Sequence, residues 1–285
     1  MKFENTRVYN FENAFRGMRN PMNSWNKSDS EFAVSEKDLF DGFSFVADKW
    51  VQSTYPKLGW PEHFSDTACL LAEAYRNRLE HEGTIYLKDN VGEFAAIGPK
   101  DMKLAQSLIK GGSEHRKFLR QIFVSVDITA PLYFFKELDT YKVATTANST
   151  STMHKLTSKP ITIDCFEIDD MNNDLDYFQG NTVEMLSDVI IEQLEYLRQK
   201  YVKTKDKRYW KELVRWLPEG WLQTRTWTAS YETIRAMCQQ RRSHKLNEWS
   251  GLEHDSENFI DWARTLPYSQ WLIFDDENIS FSFEK

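Results

Sequence analysis

The chain has 285 residues, 41% hydrophobic and 28% charged, with 14% aromatic residues and a formal net charge of −7. This is ordinary globular usage, apart from the disordered, collagenous and membrane classes, and it is long enough for one or two domains. The acidic balance argues against duplex DNA or an anionic membrane as main partner, because phosphate surfaces need concentrated cations; a single mononucleotide needs only one to three.

In chain order, the first residues, Met1–Asn5, carry no apolar run after Lys2, so no secretory signal is expected. Residues 17–30 are polar and turn-rich and read as a loop. Residues 66–81 place Ala68, Leu71, Ala72, Tyr75 and Leu79 at helical spacing. Lys100–Lys110 is expected as a short helix with Leu104, Leu108 and Ile109 inward, closed by Gly111-Gly112. From Glu114 to about Leu138 a further helix is expected, interrupted near Pro131. Residues 159–166 look extended, with Pro160 at the strand start. Residues 169–180 read as an acidic loop.

The clearest helix is 182–202, with Val183, Leu186, Ile190, Leu194 and Leu197 on one side. The run from Lys203 to Arg208 reads as a solvated turn or helix start. Two more helices are expected at roughly 208–216 and 229–242. A last helix and an alternating stretch at 279–283 complete the tail. Without a 20-residue apolar stretch no membrane span is expected. The cysteines, Cys69, Cys165 and Cys238, are scattered, which fits a reducing, cytoplasmic setting better than a disulfide framework or a zinc site. There is no Rossmann fingerprint, P-loop, HExxH or GxSxG, and the six histidines show no ligand spacing.

Three segments carry a resemblance. Glu114-His115-Arg116-Lys117-Phe118, followed by Ile122, resembles the Glu-His-x-x-Phe-x-Phe-x-Ile stretch of flavin-dependent thymidylate synthases. Residues 141–154 align without a gap to that family's signature, Arg-His-Arg-x-x-Ser-x-Asn-Glu-x-Ser-x-Arg-Tyr. Asn148 and Ser151 match, and Thr146 stands for the first Ser. Tyr141-Lys142-Val143 replaces the basic triplet, Ser149 the Glu, and Met153-His154 the final pair. Leu217-Pro218 is followed at the family's spacing by Ser230-Tyr231-Glu232 and then by Arg241.

The resemblance implies an α/β fold with several helices around a mixed sheet. The chain is then one domain over 1–285, with the family-like core at about 100–250 between an N-terminal extension and a C-terminal tail. It implies transfer of a one-carbon unit to C5 of deoxyuridine monophosphate or a related pyrimidine nucleotide, with FAD as cofactor and methylenetetrahydrofolate as donor. The alternative it leaves is a non-catalytic nucleotide-binding or scaffold homologue without flavin chemistry. It assigns Arg241, Ser151, Ser149 and Arg215 to the nucleotide, and His115, Lys142, Asn148 and Ser230 to the flavin. It implies a homotetramer. No catalytic residue is assigned, because in the family the protein mainly positions and polarises.

Overall fold

A computed structural model of the chain describes residues 1–33, 49, 94–168, 176–177, 181–250 and 257–274. The expected helix at 66–81 and the alternating stretch at 279–283 lie outside these residues. β1 (Lys2–Tyr9), β4 (Phe123–Pro131), β5 (Thr146–Ser149) and β8 (Leu222–Ser230) form one sheet in the order β1-β4-β8-β5. All its pairings are antiparallel, where a mixed sheet was expected. β2 (Glu31–Ala33) pairs with β3 (Phe94–Ala96), and β6 (Asp176–Tyr177) with β7 (Asn181–Thr182), so one short strand, β6, falls within the expected acidic loop.

β4 overturns the expectation of a helix over 114–138. Val124, Val126, Ile128 and Ala130 are buried and alternate with Ser125, Asp127 and Thr129. That period of two builds a strand with one wet face. Register places Trp227 and Ala229 of β8 beside Val126 and Val124 on the apolar face. The opposite face is polar: Thr226 donates to Asp127 at 2.5 Å, and Thr129 meets Thr224 at 2.8 Å.

Ten α-helices lie among the described residues: α1 (Phe11–Met18), α2 (Pro99–Lys110), α3 (Leu132–Leu138), α4 (Thr152–Lys155), α5 (Val183–Thr204), α6 (Lys207–Arg215), α7 (Tyr231–Gln240), α8 (Asn247–Ser250), α9 (Phe259–Arg264) and α10 (Ser269–Leu272). The main core holds Phe11 and Phe15 of α1, Phe134 and Phe135 of α3, Tyr231 and Ile234 of α7, and Trp249, Phe259 and Trp262 against the sheet. α2 turns slightly from the expected face: Met102, Ala105 and Ile109 are buried, Leu104 only partly. Its buried Asp101 is neutralised by Arg19 at 2.5 Å and accepts from Ser28 and Ser30. That satisfies a charge which would be costly alone.

Smaller differences follow from local chemistry. The stretch at 17–30 contains two 3-10 turns, Asn20–Met22 and Trp25–Lys27. Residues 159–166 are not a strand: Ile163–Cys165 is a 3-10 turn, and only Phe166 makes a bridge, to Trp221. The helix expected at 182–202 is α5, but it packs mainly on α6 around a small second core of Leu156, Ile161, Phe166, Leu194 and Leu213. No helix among the described residues is long and apolar enough to cross a membrane.

Candidate nucleotide site around helix α7

β8 ends at Ser230, and its buried hydroxyl caps α7 by accepting from the Thr233 amide at 3.3 Å. Such a cap satisfies one of the amide donors a helix leaves open at its start. The Thr233 hydroxyl in turn donates to the Val143 carbonyl at 3.1 Å, which ties the 141–143 segment to this end of the helix. Arg116 Nε reaches both oxygens of Glu232, at 3.0 and 2.8 Å. Three of the residues assigned to the flavin therefore belong to this end of α7. Ser230 is the cap itself, Lys142 precedes Val143, and His115 precedes Arg116. Lys142 is exposed, and the His115 ring lies against Gly111, where a Cβ would come within 3.2 Å of it. Asn148 is elsewhere: on β5 it pairs with Thr226 on the polar sheet face, four residues or about 13 Å along β8 from Ser230.

At the other end of α7, Arg241 is the C-cap residue. Its Nε donates to the Tyr141 hydroxyl at 2.9 Å, and the same guanidinium pairs with Glu137 at 2.8 Å. The guanidinium lies 5.1 Å from the centre of the Trp249 ring and 5.5 Å from that of Tyr141. The Tyr141 hydroxyl donates onward to Gln240 at 3.0 Å. A buried donor lies nearby: Trp249 Nε1 has no hydrogen-bond partner among the described residues. His244 accepts from the Leu246 amide through Nδ1 at 3.2 Å. Burial first, and then the positive charge of Arg241, lowers its pKa; Glu137 and Glu248 oppose this.

A second cation was not foreseen from the sequence. Arg225, on the apolar face of β8, donates to Asp139 at 2.8 and 3.0 Å and to Gln223 at 2.9 Å. It lies 4.0 Å from the Phe135 ring centre. Ser149 sits opposite Arg225 in the β5–β8 register, while its neighbour Asn148 faces the other way. Gln223 donates to the Thr150 carbonyl at 2.8 Å. Ser151 caps α4, accepting from the His154 amide at 3.2 Å and lying 2.7 Å from His154 Nδ1. Ser149 thus faces Arg225, Gln223 connects Arg225 to Thr150 next to Ser151, and the partners of the two guanidiniums, Asp139 for Arg225 and Glu137 and Tyr141 for Arg241, lie within five residues of one another in the chain. Arg215 is not brought there. It pairs at 2.5 Å with Glu212 on its own helix, α6, beside the second core.

Tyr133 of α3 was also missed. Its hydroxyl contacts Glu248 and lies 3.1 Å from Glu167. Desolvation, then Glu248, pushes its pKa far up, so the phenol stays protonated. The clue for Arg225 was the alternation Gln223, Arg225, Trp227, Ala229, a strand pattern with a cation on its inner face. Nothing in the sequence marks Tyr133.

Chemically, the site offers two guanidiniums held over aromatic rings. Each is neutralised by a carboxylate from the same segment, Glu137 or Asp139, whose side chains are 41% and 57% exposed. Exposed carboxylates bind weakly and are displaceable by a stronger anion such as a phosphate.

No protein-family model matches the chain, and a search of curated proteins finds no match in sequence. Solved structures similar to it include flavin-dependent thymidylate synthase ThyX from Helicobacter pylori complexed with FAD and dUMP. That comparison has 15% identity and a TM-score of 0.42, covering 86% of this chain and 96% of that one. A second ThyX structure from the same organism, also with FAD and dUMP, has 17% identity and a TM-score of 0.42, covering 71% and 90%. The UMP/dUMP methylase PolB from Streptomyces cacaoi, bound with 5-Br dUMP, has 13% identity and a TM-score of 0.43, covering 62% and 82%.

Proposed function

We propose that this chain binds a pyrimidine deoxynucleotide of the deoxyuridine monophosphate kind, with Arg241 as the main anion-binding cation. The observation that carries this is the setting of Arg241, preorganised by Tyr141 and Trp249 and countered, among the described residues, by the half-exposed Glu137. Arg225, Ser149 and Ser151 would complete the pocket. A planar guanidinium gives a phosphate two parallel hydrogen bonds, which suits it to this task.

One-carbon transfer to C5 is the enzymatic form of this reading, with FAD supplying hydride and methylenetetrahydrofolate the carbon. The residues assigned to the flavin do not fit it well. Ser230 spends its hydroxyl on the cap and Asn148 lies on the far sheet face, which leaves the exposed Lys142 as the assigned cation; the charge of Arg116, beside His115, is balanced by Glu232. This favours the second reading, a nucleotide-binding homologue without flavin chemistry. A homo-oligomer, four chains by the resemblance, is the assembly this reading implies.

Calorimetric titration with deoxyuridine monophosphate tests the binding. A saturable 1:1 isotherm that weakens in Arg241→Ala supports the proposal, and no detectable heat or competition at millimolar nucleotide overturns it.

A further inference from the structure

Among the described residues the least buried long element is α5, 22 residues and so about 33 Å long. From Leu186 onward only Leu194 is fully buried. Val189 and Tyr196 are 53% and 50% exposed, on the side away from α6. With Glu192, Gln199 and Lys203, all exposed, they form a row at spacings of 3, 4, 3 and 4 residues. Such a row is the seam along which two helices pack.

Charge divides this face in two. Asp188 and Glu192 lie in its first half, and Lys200 and Lys203 in its second. The other charged pair of this region, Glu195 and Arg198, is engaged inward. Glu195 accepts from the Ile161 amide at 2.8 Å, and Arg198 donates to the Thr157 carbonyl at 3.3 Å. Glu192 and Lys203 make no ion pair among the described residues. Lys200 lies 5.1 Å from the centre of the Tyr196 ring, leaning over the middle of the seam.

We infer that α5 is a self-complementary dimer surface, whose occupant is α5 of a second copy running antiparallel about a two-fold axis at Tyr196. The arithmetic of the sequence sets that axis. With Tyr196 facing its own copy, Glu192 faces Lys200 and Val189 faces Lys203, each pair occurring twice. The apolar stem of Lys203 covers Val189 while its ammonium stays in water. A parallel pair would instead place like charge against like charge along the whole seam. An isologous contact of this kind needs only one chain's sequence to be complementary to itself. The inference gives the proposed assembly one of its contact surfaces and does not depend on nucleotide binding.

Cysteine cross-linking of the full chain under mild oxidation is the test. Tyr196→Cys should yield a disulfide-linked dimer above the background that wild type sets through Cys165. Val189→Cys should not link to itself, since the two copies of residue 189 lie about 21 Å apart along an antiparallel pair. No linkage at 196, or equal linkage at 189, overturns the inference. Independently, Glu192→Lys and Lys200→Glu should each raise the dimer dissociation constant about tenfold by sedimentation equilibrium, with the double variant restoring it. Failure of that rescue in folded variants also overturns it. Titration of the same variants with deoxyuridine monophosphate separates the two proposals, because loss of the dimer contact with unchanged nucleotide affinity leaves the nucleotide reading intact.

Discussion

Arg241 is tied down on three sides, and this changes what its removal should do. Arg241→Ala should weaken deoxyuridine monophosphate binding about ten- to a hundredfold, the loss of one charge-assisted contact of roughly 1.5–3 kcal/mol. It should also cost stability, because the Glu137 pair and the Trp249 and Tyr141 faces are lost with it. Glu137 is partly exposed, so this cost should stay near 1 kcal/mol. Titration and chemical denaturation measured together check both figures. His244 carries a pH dependence. Its pKa in the folded chain lies below the ordinary 6.5, so the unfolded chain binds the proton more readily. Its contribution to stability is therefore present above about pH 6.5 and is lost as pH falls through the lower folded value. Protonation at Nδ1 would also end its acceptance from Leu246. Thermal melts between pH 8 and 5 should show a decline that is shallower in His244→Gln, and equal slopes would remove His244 from this account.

Helix α7 joins fold and site, because its two ends hold different assigned residues. Ser230→Ala removes the cap and should destabilise the protein by about 1 kcal/mol, with Ser230→Thr recovering most of it. If nucleotide affinity is unchanged in folded Ser230→Ala, the residue is purely a cap. Helices α5 and α7 were legible because apolar residues recur at the helical period over two turns or more. β4 was not. Phe118, Leu119, Ile122 and Val126 also satisfy a helical spacing, and the alternation from Val124 to Ala130 decides for a strand only once β1 and β8 supply edges to pair with. Pro131, taken as a helix interruption, instead ends the strand and precedes α3, where its missing amide costs nothing.

At the scale of the whole molecule, the resemblance implies a flavoprotein and a tetramer, and each has a direct measurement. The protein should leave gel filtration colourless and without stoichiometric FAD, since at the start of α7 Ser230 is spent on the cap and Arg116 is balanced by Glu232, which leaves Lys142 as the one assigned cation there. Equilibrium dialysis with FAD, with and without deoxyuridine monophosphate, checks this, and a yellow protein would restore the enzymatic reading. Light scattering should give about four chains per particle, and a monomer at micromolar concentration would count against both the implied tetramer and the α5 contact. What the sequence determined by itself was local: the α/β class and the helices that became α5 and α7, whose apolar periods need no partner to be read. Tertiary structure alone decided what Arg225 meets. Arg225 meets Asp139, and Ser149 faces Arg225, only through the pairing of β4, β8 and β5, strands far apart in the chain. Strand register is a long-range choice, set by which face can be buried, and a single strand's sequence does not contain its partners.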